Sequence, residues 1–108
     1  MQAREREVEY YDGPAGCPFA DWRRGITDNK LKQAVDARIT RLRAGNPGVS
    51  RSVHGGVLES VISMGPGYRI YYGIDGDTIV LLCAGDKSTQ ATDIEMAKRL
   101  WAEYKGRK

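Results

Sequence analysis

A chain of 108 residues, 41% apolar and 29% charged, has the size and composition of one small globular domain, expected to span residues 1–108. The longest apolar run, Ile79 to Ala84, is far short of the ~20 residues that cross a bilayer, and charges at Arg4, Glu5, Arg6 and Glu7 interrupt any apolar secretory segment, so the expectation is a cytoplasmic protein with no membrane partner. Cys17 and Cys83 are too few and too far apart for a metal motif, and His54 is the single histidine, so neither a metal nor another cofactor is expected.

The first element expected is a short strand at Val8 to Tyr11, stopped by Asp12, Gly13 and Pro14. After Pro18, a favourable first helical residue, Phe19, Trp22 and Ile26 recur at helical spacing and predict a short amphipathic helix. Thr27 or Asp28 then caps a longer helix whose stripe is Leu31, Val35, Ile39 and Leu42; Gly45 ends it and Pro47 prevents its continuation. Lys30, Lys32, Arg38, Arg41 and Arg43 lie off that stripe, either as a solvated surface or as a face toward RNA.

From Val57 the period changes to two, with Leu58, Ser60, Ile62 and Met64 on one face and Val57, Glu59, Val61 and Ser63 on the other. Gly65, Pro66 and Gly67 turn the chain into a second strand, Tyr68 to Ile74. If those three residues are the whole loop, Met64 opposes Tyr68, Ile62 opposes Ile70 and Val61 opposes Tyr71. Asp75 and Gly76 signal a hairpin into the apolar strand Ile79 to Ala84. A last helix from Ser88 or Thr89 carries Ile94, Ala97, Leu100, Trp101 and Tyr104 at helical spacing. This order predicts an α+β fold: an antiparallel sheet of about four strands, two N-terminal helices packed on one face, and a C-terminal helix.

Helices on one face would leave the other open, and Glu59, Arg69 and Tyr71 all project there. An arginine inside Tyr68-Arg69-Ile70-Tyr71-Tyr72 either meets a phosphate with its planar donors or bridges to Glu59 or a neighbouring acid across the strands. Tyr71 either stacks on a base or packs. Gly85-Asp86-Lys87-Ser88-Thr89-Gln90 puts a lysine at a helix start, as an anion contact or as part of a cap, and antiparallel pairing should bring Lys87 toward Arg69. The stretch lacks the glycine and Gly-Lys pair of a phosphate-binding loop. His54, before Gly55 and Gly56, is either an acid–base group or an exposed loop residue.

Pro18-Phe19-x-x-Trp22, Arg41-Leu42-x-x-Gly45-Asn46-x-Gly48, Gly65-Pro66-Gly67-Tyr68-Arg69-Ile70-Tyr71-Tyr72 and Gly85-Asp86-Lys87-Ser88-Thr89-Gln90-x-x-Asp93-Ile94-x-x-Ala97, in that order, resemble the addiction module killer proteins of the RelE/ParE toxin superfamily, close to its HigB-type toxins. The resemblance runs from about Val8 to Leu100 and implies a RelE-like fold and a type II toxin that stops translation by metal-independent cleavage of mRNA on the ribosome. It implies a helix-turn-helix antitoxin, the ribosome and mRNA as partners, with operator DNA bound only through the antitoxin complex. By position, Arg69 matches the sheet arginine and Lys87 the basic residue after the last strand. Glu59 and His54 complete the catalytic candidates, and Tyr71, Asp86, Arg38 and Arg41 are the RNA-binding ones.

One departure stands out. Where the family reads Gly-Val-x-Glu-Leu-Arg-Ile, this chain reads Gly56-Val57-Leu58-Glu59-Ser60-Val61-Ile62, so Val61 replaces an arginine expected to stabilise the phosphate. Two alternatives to the active nuclease follow: a catalytically weakened or silent homologue that chiefly binds its antitoxin, and a gyrase inhibitor of the ParE type. Shared fold does not separate them.

Overall fold

The computed structural model describes residues 5–107 and has the α+β class read from the sequence. Its elements are β1 (Glu7–Tyr10), α1 (Pro18–Arg24), α2 (Asn29–Arg43), β2 (Ser50–Ser52), β3 (Leu58–Ile62), β4 (Tyr68–Asp75), β5 (Thr78–Asp86) and α3 (Gln90–Gly106), the last entered through a single 3-10 turn at Lys87–Thr89. Five strands, not four, form one sheet in the order β1-β5-β4-β3-β2. It is antiparallel except at one edge, where β1 runs parallel to β5 with Val8 beside Ile79 and Tyr10 beside Leu81. Among the described residues no helix is long and apolar enough to cross a membrane.

Local chemistry sets the helix ends. Pro18 opens α1, where the amide it lacks has no helical partner to lose. The Asp28 carboxylate caps α2 by accepting the amides of Lys30 at 2.8 Å and Leu31 at 3.4 Å. At the other end Gly45, at φ 82°, donates to Leu42 O and Asn46 to Arg41 O, the paired bonds of a Schellman motif. The α2 stripe of Leu31, Val35, Ile39 and Leu42 is buried with Phe19 and Ile26 against Ile62, Ile70, Tyr72, Ile79 and Leu81.

The opposite face is covered as well, which corrects the expectation that it stays open. There α3 buries Ala97, Leu100 and Trp101 against Tyr11, Val53, Val57, Tyr71, Val80, Leu82 and Cys83. Gly73 makes this approach possible, since a Cβ there would lie 2.5 Å from the Trp101 ring. Helical periodicity marks which residues of α3 are buried; it does not say which side of the sheet receives them.

The β3–β4 register also differs from expectation. Ile62 faces Tyr68, Val61 faces Arg69, Ser60 faces Ile70 and Glu59 faces Tyr71, because the loop is the five residues Ser63 to Gly67 and not the three of the turn signal. A shift of two positions preserves every residue's face while changing its neighbour. In β5 an irregularity sets Tyr71 beside Cys83 but Tyr72 beside Leu81, so Leu82 is an extra residue. Val80, Leu82 and Cys83 therefore all join the α3 cluster, and Gly85 follows Cys83 onto that side.

Candidate functional site

On the α3 side of β3 sits a carboxylate almost wholly out of water. Glu59 is 1% exposed, and its oxygens gather donors from three other elements. Oε1 accepts the Arg51 Nε–H from β2 at 2.8 Å, while Oε2 accepts the Tyr71 hydroxyl from β4 at 2.9 Å and the Gln90 amide from the start of α3 at 3.0 Å. Arg69 Nε lies 3.7 Å from Oε2, close enough for an ion pair and too far for a hydrogen bond. That nitrogen is buried with no hydrogen-bond acceptor, and the head is held by Nη1 donating to Gly67 O at 2.9 Å.

A buried carboxylate is costly unless paired. Burial works against ionisation of Glu59, but the hydrogen bonds from Arg51, Gln90 and Tyr71, and the charge of Arg51, outweigh it and hold the carboxyl below its ordinary range. The same contact acts in the opposite direction on its neighbour: burial first, then the bond to Glu59, pushes the Tyr71 hydroxyl far above the ordinary tyrosine value. At neutral pH Glu59 is an anion and Tyr71 a neutral donor.

The sequence-derived candidates fall into three groups. Glu59, Arg69 and Tyr71 do share one face, but it is a packed one: Tyr71 is 0% exposed, so its ring is not available to stack on a base. The cross-strand reading of Arg69 holds in a diagonal form, since its partner Glu59 sits opposite Tyr71, two residues along.

Asp86 and Lys87 form the second group. Arg69 pairs with Gly85, which leads directly into both residues at the rim of the sheet. A Cβ at Gly85 would strike the Asp93 carboxylate and the Thr89 hydroxyl, so glycine lets the start of α3 lie against the end of β5. The exposed Lys87 opens the 3-10 turn, which Asp86 caps by accepting the Ser88 amide at 2.8 Å. Bonds from the Ser88 hydroxyl and amide hold the Asp86 carboxyl below its ordinary range.

The third group lies elsewhere. Arg38 donates from Nη1 to Ser60 Oγ and to Val61 O, both at 2.7 Å, and so ties α2 to β3 on the far side of the sheet, a structural task for one nitrogen of its half-buried head. Arg41 is exposed on the same helix. His54 sits exposed at φ 75° in the β2–β3 turn, at the opposite end of β3 from Lys87, a strand length of ~13 Å away along the rise of its residues. The structure does not bring these two together.

Two residues of the cluster escaped the sequence reading. Gln90 has no signal apart from its place in a helix start. Arg51 does have one: it lies directly across from Glu59 in the β2–β3 pair, an opposite-charge match visible once Ser50–Ser52 is recognised as a strand. Three residues with no apolar alternation do not announce one. Among the described residues no group of three His, Cys, Asp or Glu side chains could hold a metal ion.

An uncharacterized protein of Haemophilus influenzae is 43% identical over 86 residues, covering 79% of this chain and 87% of that protein, and the chain belongs to the same family. No family model matches the chain, and no solved structure matches it.

Proposed function

We propose that the chain is the toxin of a type II toxin–antitoxin pair, a RelE-like, ribosome-dependent mRNA endonuclease that needs no metal. The observation that carries this reading is the convergence of Arg51 and Arg69 on one sheet face, with Lys87 emerging from the strand end beside Arg69. Phosphodiester cleavage by an adjacent ribose hydroxyl develops negative charge on the phosphate oxygens, which fixed guanidiniums stabilise. In that reaction the 2′-oxygen bonds to phosphorus as the 5′-oxygen departs. The 2′-hydroxyl proton passes to solvent and the leaving oxygen gains one, giving a 2′,3′-cyclic phosphate and a 5′-hydroxyl.

Glu59 and Asp86 are both held ionised below the ordinary range, and Tyr71 is held neutral, so these three are poor proton shuttles near neutrality. The residues at hand favour stabilisation of charge over transfer of protons. The partners that go with this reading are a small helix-turn-helix antitoxin and the translating ribosome.

A specific observation favours the silent homologue as a second reading. Val61 stands directly opposite Arg69, so the arginine expected from the resemblance would have been its immediate neighbour. Induced expression followed by toeprinting on programmed ribosomes tests both. Cleavage within the ribosomal A site that Arg69→Ala abolishes supports the nuclease. Harmless expression of the folded chain favours the silent form, and growth arrest with intact mRNA and damaged DNA favours gyrase inhibition.

A further inference from the structure

We propose that Arg51 and Arg69 together form the receiving pair for the scissile phosphate of single-stranded RNA, with Glu59 as the internal anion that holds both guanidiniums in place. The proposal rests on the nuclease reading and gives it a second arginine that the resemblance does not supply.

Three observations carry it. Arg51 reaches Glu59 from β2 and Arg69 reaches it from β4, so the two guanidiniums bracket one carboxylate from strands on either side of β3. A carboxylate and a phosphodiester each present two oxygens sharing one negative charge, so guanidiniums that bracket the first are of the kind that recognises the second through the donors they have left. Secondly, the bracket is incompletely satisfied. Oε2 already accepts Tyr71 and Gln90, and the buried Arg69 Nε is left at 3.7 Å without a hydrogen bond among the described residues, so Glu59 holds this guanidinium by charge and does not saturate it.

Thirdly, Arg51 is the accessible member of the cluster. Its side chain is 63% exposed, against 14% for Arg69 and 1% for Glu59. Among the described residues only its Nε is committed, at 2.8 Å to Glu59 Oε1, which orients the head while the two Nη groups remain the fork that planar anion recognition uses. Glu59 is thus a positioning residue that touches no substrate, and Arg51 and Arg69 are the groups that do. The same geometry accounts for Val61: the cation absent from that position on β3 is supplied by the neighbouring strand.

The test is single-turnover cleavage on programmed ribosomes, run beside fluorescence anisotropy with a 2′-O-methyl single-stranded RNA that binds but cannot be cut. Arg51→Ala is expected to slow cleavage about a hundredfold. Arg51→Lys, which keeps the charge and loses the fork, is expected to lie between, and it guards against a folding defect in the alanine variant. Introducing Val61→Arg into the Arg51→Ala background is expected to recover at least about tenfold, a rescue that a structural role for Arg51 would not give.

In the binding arm Arg51→Ala is expected to weaken the oligonucleotide severalfold and to lower the salt dependence by close to one phosphate contact. Cleavage by folded Arg51→Ala at the wild-type rate overturns the pair and leaves the nuclease reading standing. Arg51-dependent binding without cleavage by the wild-type chain refutes the nuclease, and with it the pair as the receiver of a scissile phosphate, and leaves Arg51 as an RNA contact alone. Oligonucleotide binding that ignores both arginines, or no binding at all, overturns the pair.

Discussion

Removing the Glu59 carboxylate takes away the acceptor on which three hydrogen bonds and the Arg69 guanidinium converge, so Glu59→Ala is the most informative single perturbation of the fold. Its cost can be assembled from the groups left behind. Arg51 is largely in water and rehydrates at little cost. The Tyr71 hydroxyl is sealed under α3 and loses its acceptor, a penalty of about 1–3 kcal/mol. Arg69 keeps its bond to Gly67 O but loses its counter-ion in a mostly buried site, and breaking such a pair costs ~3–5 kcal/mol where nothing compensates. These terms share one site and do not add, so about 3–5 kcal/mol is the expected loss, out of a total of ~5–15 kcal/mol for a domain of this size. Thermal unfolding should drop by roughly 15–25 °C.

Glu59→Gln separates charge from shape. It keeps an acceptor for Tyr71 and should cost less than alanine at pH 7. Because the folded carboxyl titrates below its ordinary value of 4.5, the unfolded chain takes up the proton first as pH falls. The stability that ionised Glu59 contributes is therefore complete above that ordinary value and is lost as pH drops through the folded one. The gap between wild type and Glu59→Gln should accordingly shrink on acidification. Asp36, whose bond to Arg23 lowers its carboxyl, and Asp86 titrate in both proteins and cancel from the difference. Urea unfolding of the three proteins between pH 7 and pH 3 measures all of this. A Glu59→Ala protein within ~0.5 kcal/mol of wild type, or a gap that does not change with pH, would refute the network as described.

Three further outcomes are expected. Arg38→Met should cost about 1–3 kcal/mol, because Ser60 is fully buried and loses the Arg38 donor, whereas Arg41→Ala should stay within ~0.5 kcal/mol; equal effects in urea melts would deny Arg38 its role as a tether. His54→Gly should raise stability by about 0.5–1 kcal/mol by relieving a left-handed backbone at φ 75°, and a loss on thermal melting would mean that the imidazole contributes to the turn. Burial, and after it the Asp93 charge, pushes the Cys83 thiol up to about 12, so at pH 8 an alkylating reagent should modify the half-buried Cys17 at once and reach Cys83 only on the timescale of unfolding, as mass spectrometry of labelled protein would show.

Local signals made α1, α2 and the β4–β5 hairpin legible, because each is decided by neighbours in sequence. Asp28 caps the amides two and three residues on, and Gly76 at φ 60° opens a two-residue turn between Asp75 and Thr78. What the sequence hides is decided at a distance. The parallel seat of β1 on β5 joins residues some seventy positions apart, and no local pattern encodes it. The extra residue at Leu82 lies inside an unbroken apolar run, where either face accepts any member. Within the site, Arg69 stands out as a charge in an aromatic strand and Glu59 by alternation, while Arg51 is hidden by a strand too short and too polar to be seen.

Covering both faces of the sheet changes where chemistry can occur. An open face would have offered Glu59, Arg69 and Tyr71 directly to a ligand, and under α3 the deeper two become supports instead. Access then passes to groups whose heads reach out: Arg51 at the β2 edge, Arg69 in part, and Lys87 at the rim where β5 turns into α3. Burial and function are coupled here through Glu59, since the carboxylate that cannot be reached is what orders the guanidinium that can. A surface arginine with no such anchor samples many rotamers and loses that freedom on binding, whereas Arg51 has already lost much of it on folding. The valine opposite Arg69 fits the same economy of charge: an arginine there would be a third guanidinium crowded on one buried carboxylate, close to Arg69 and without an anion of its own.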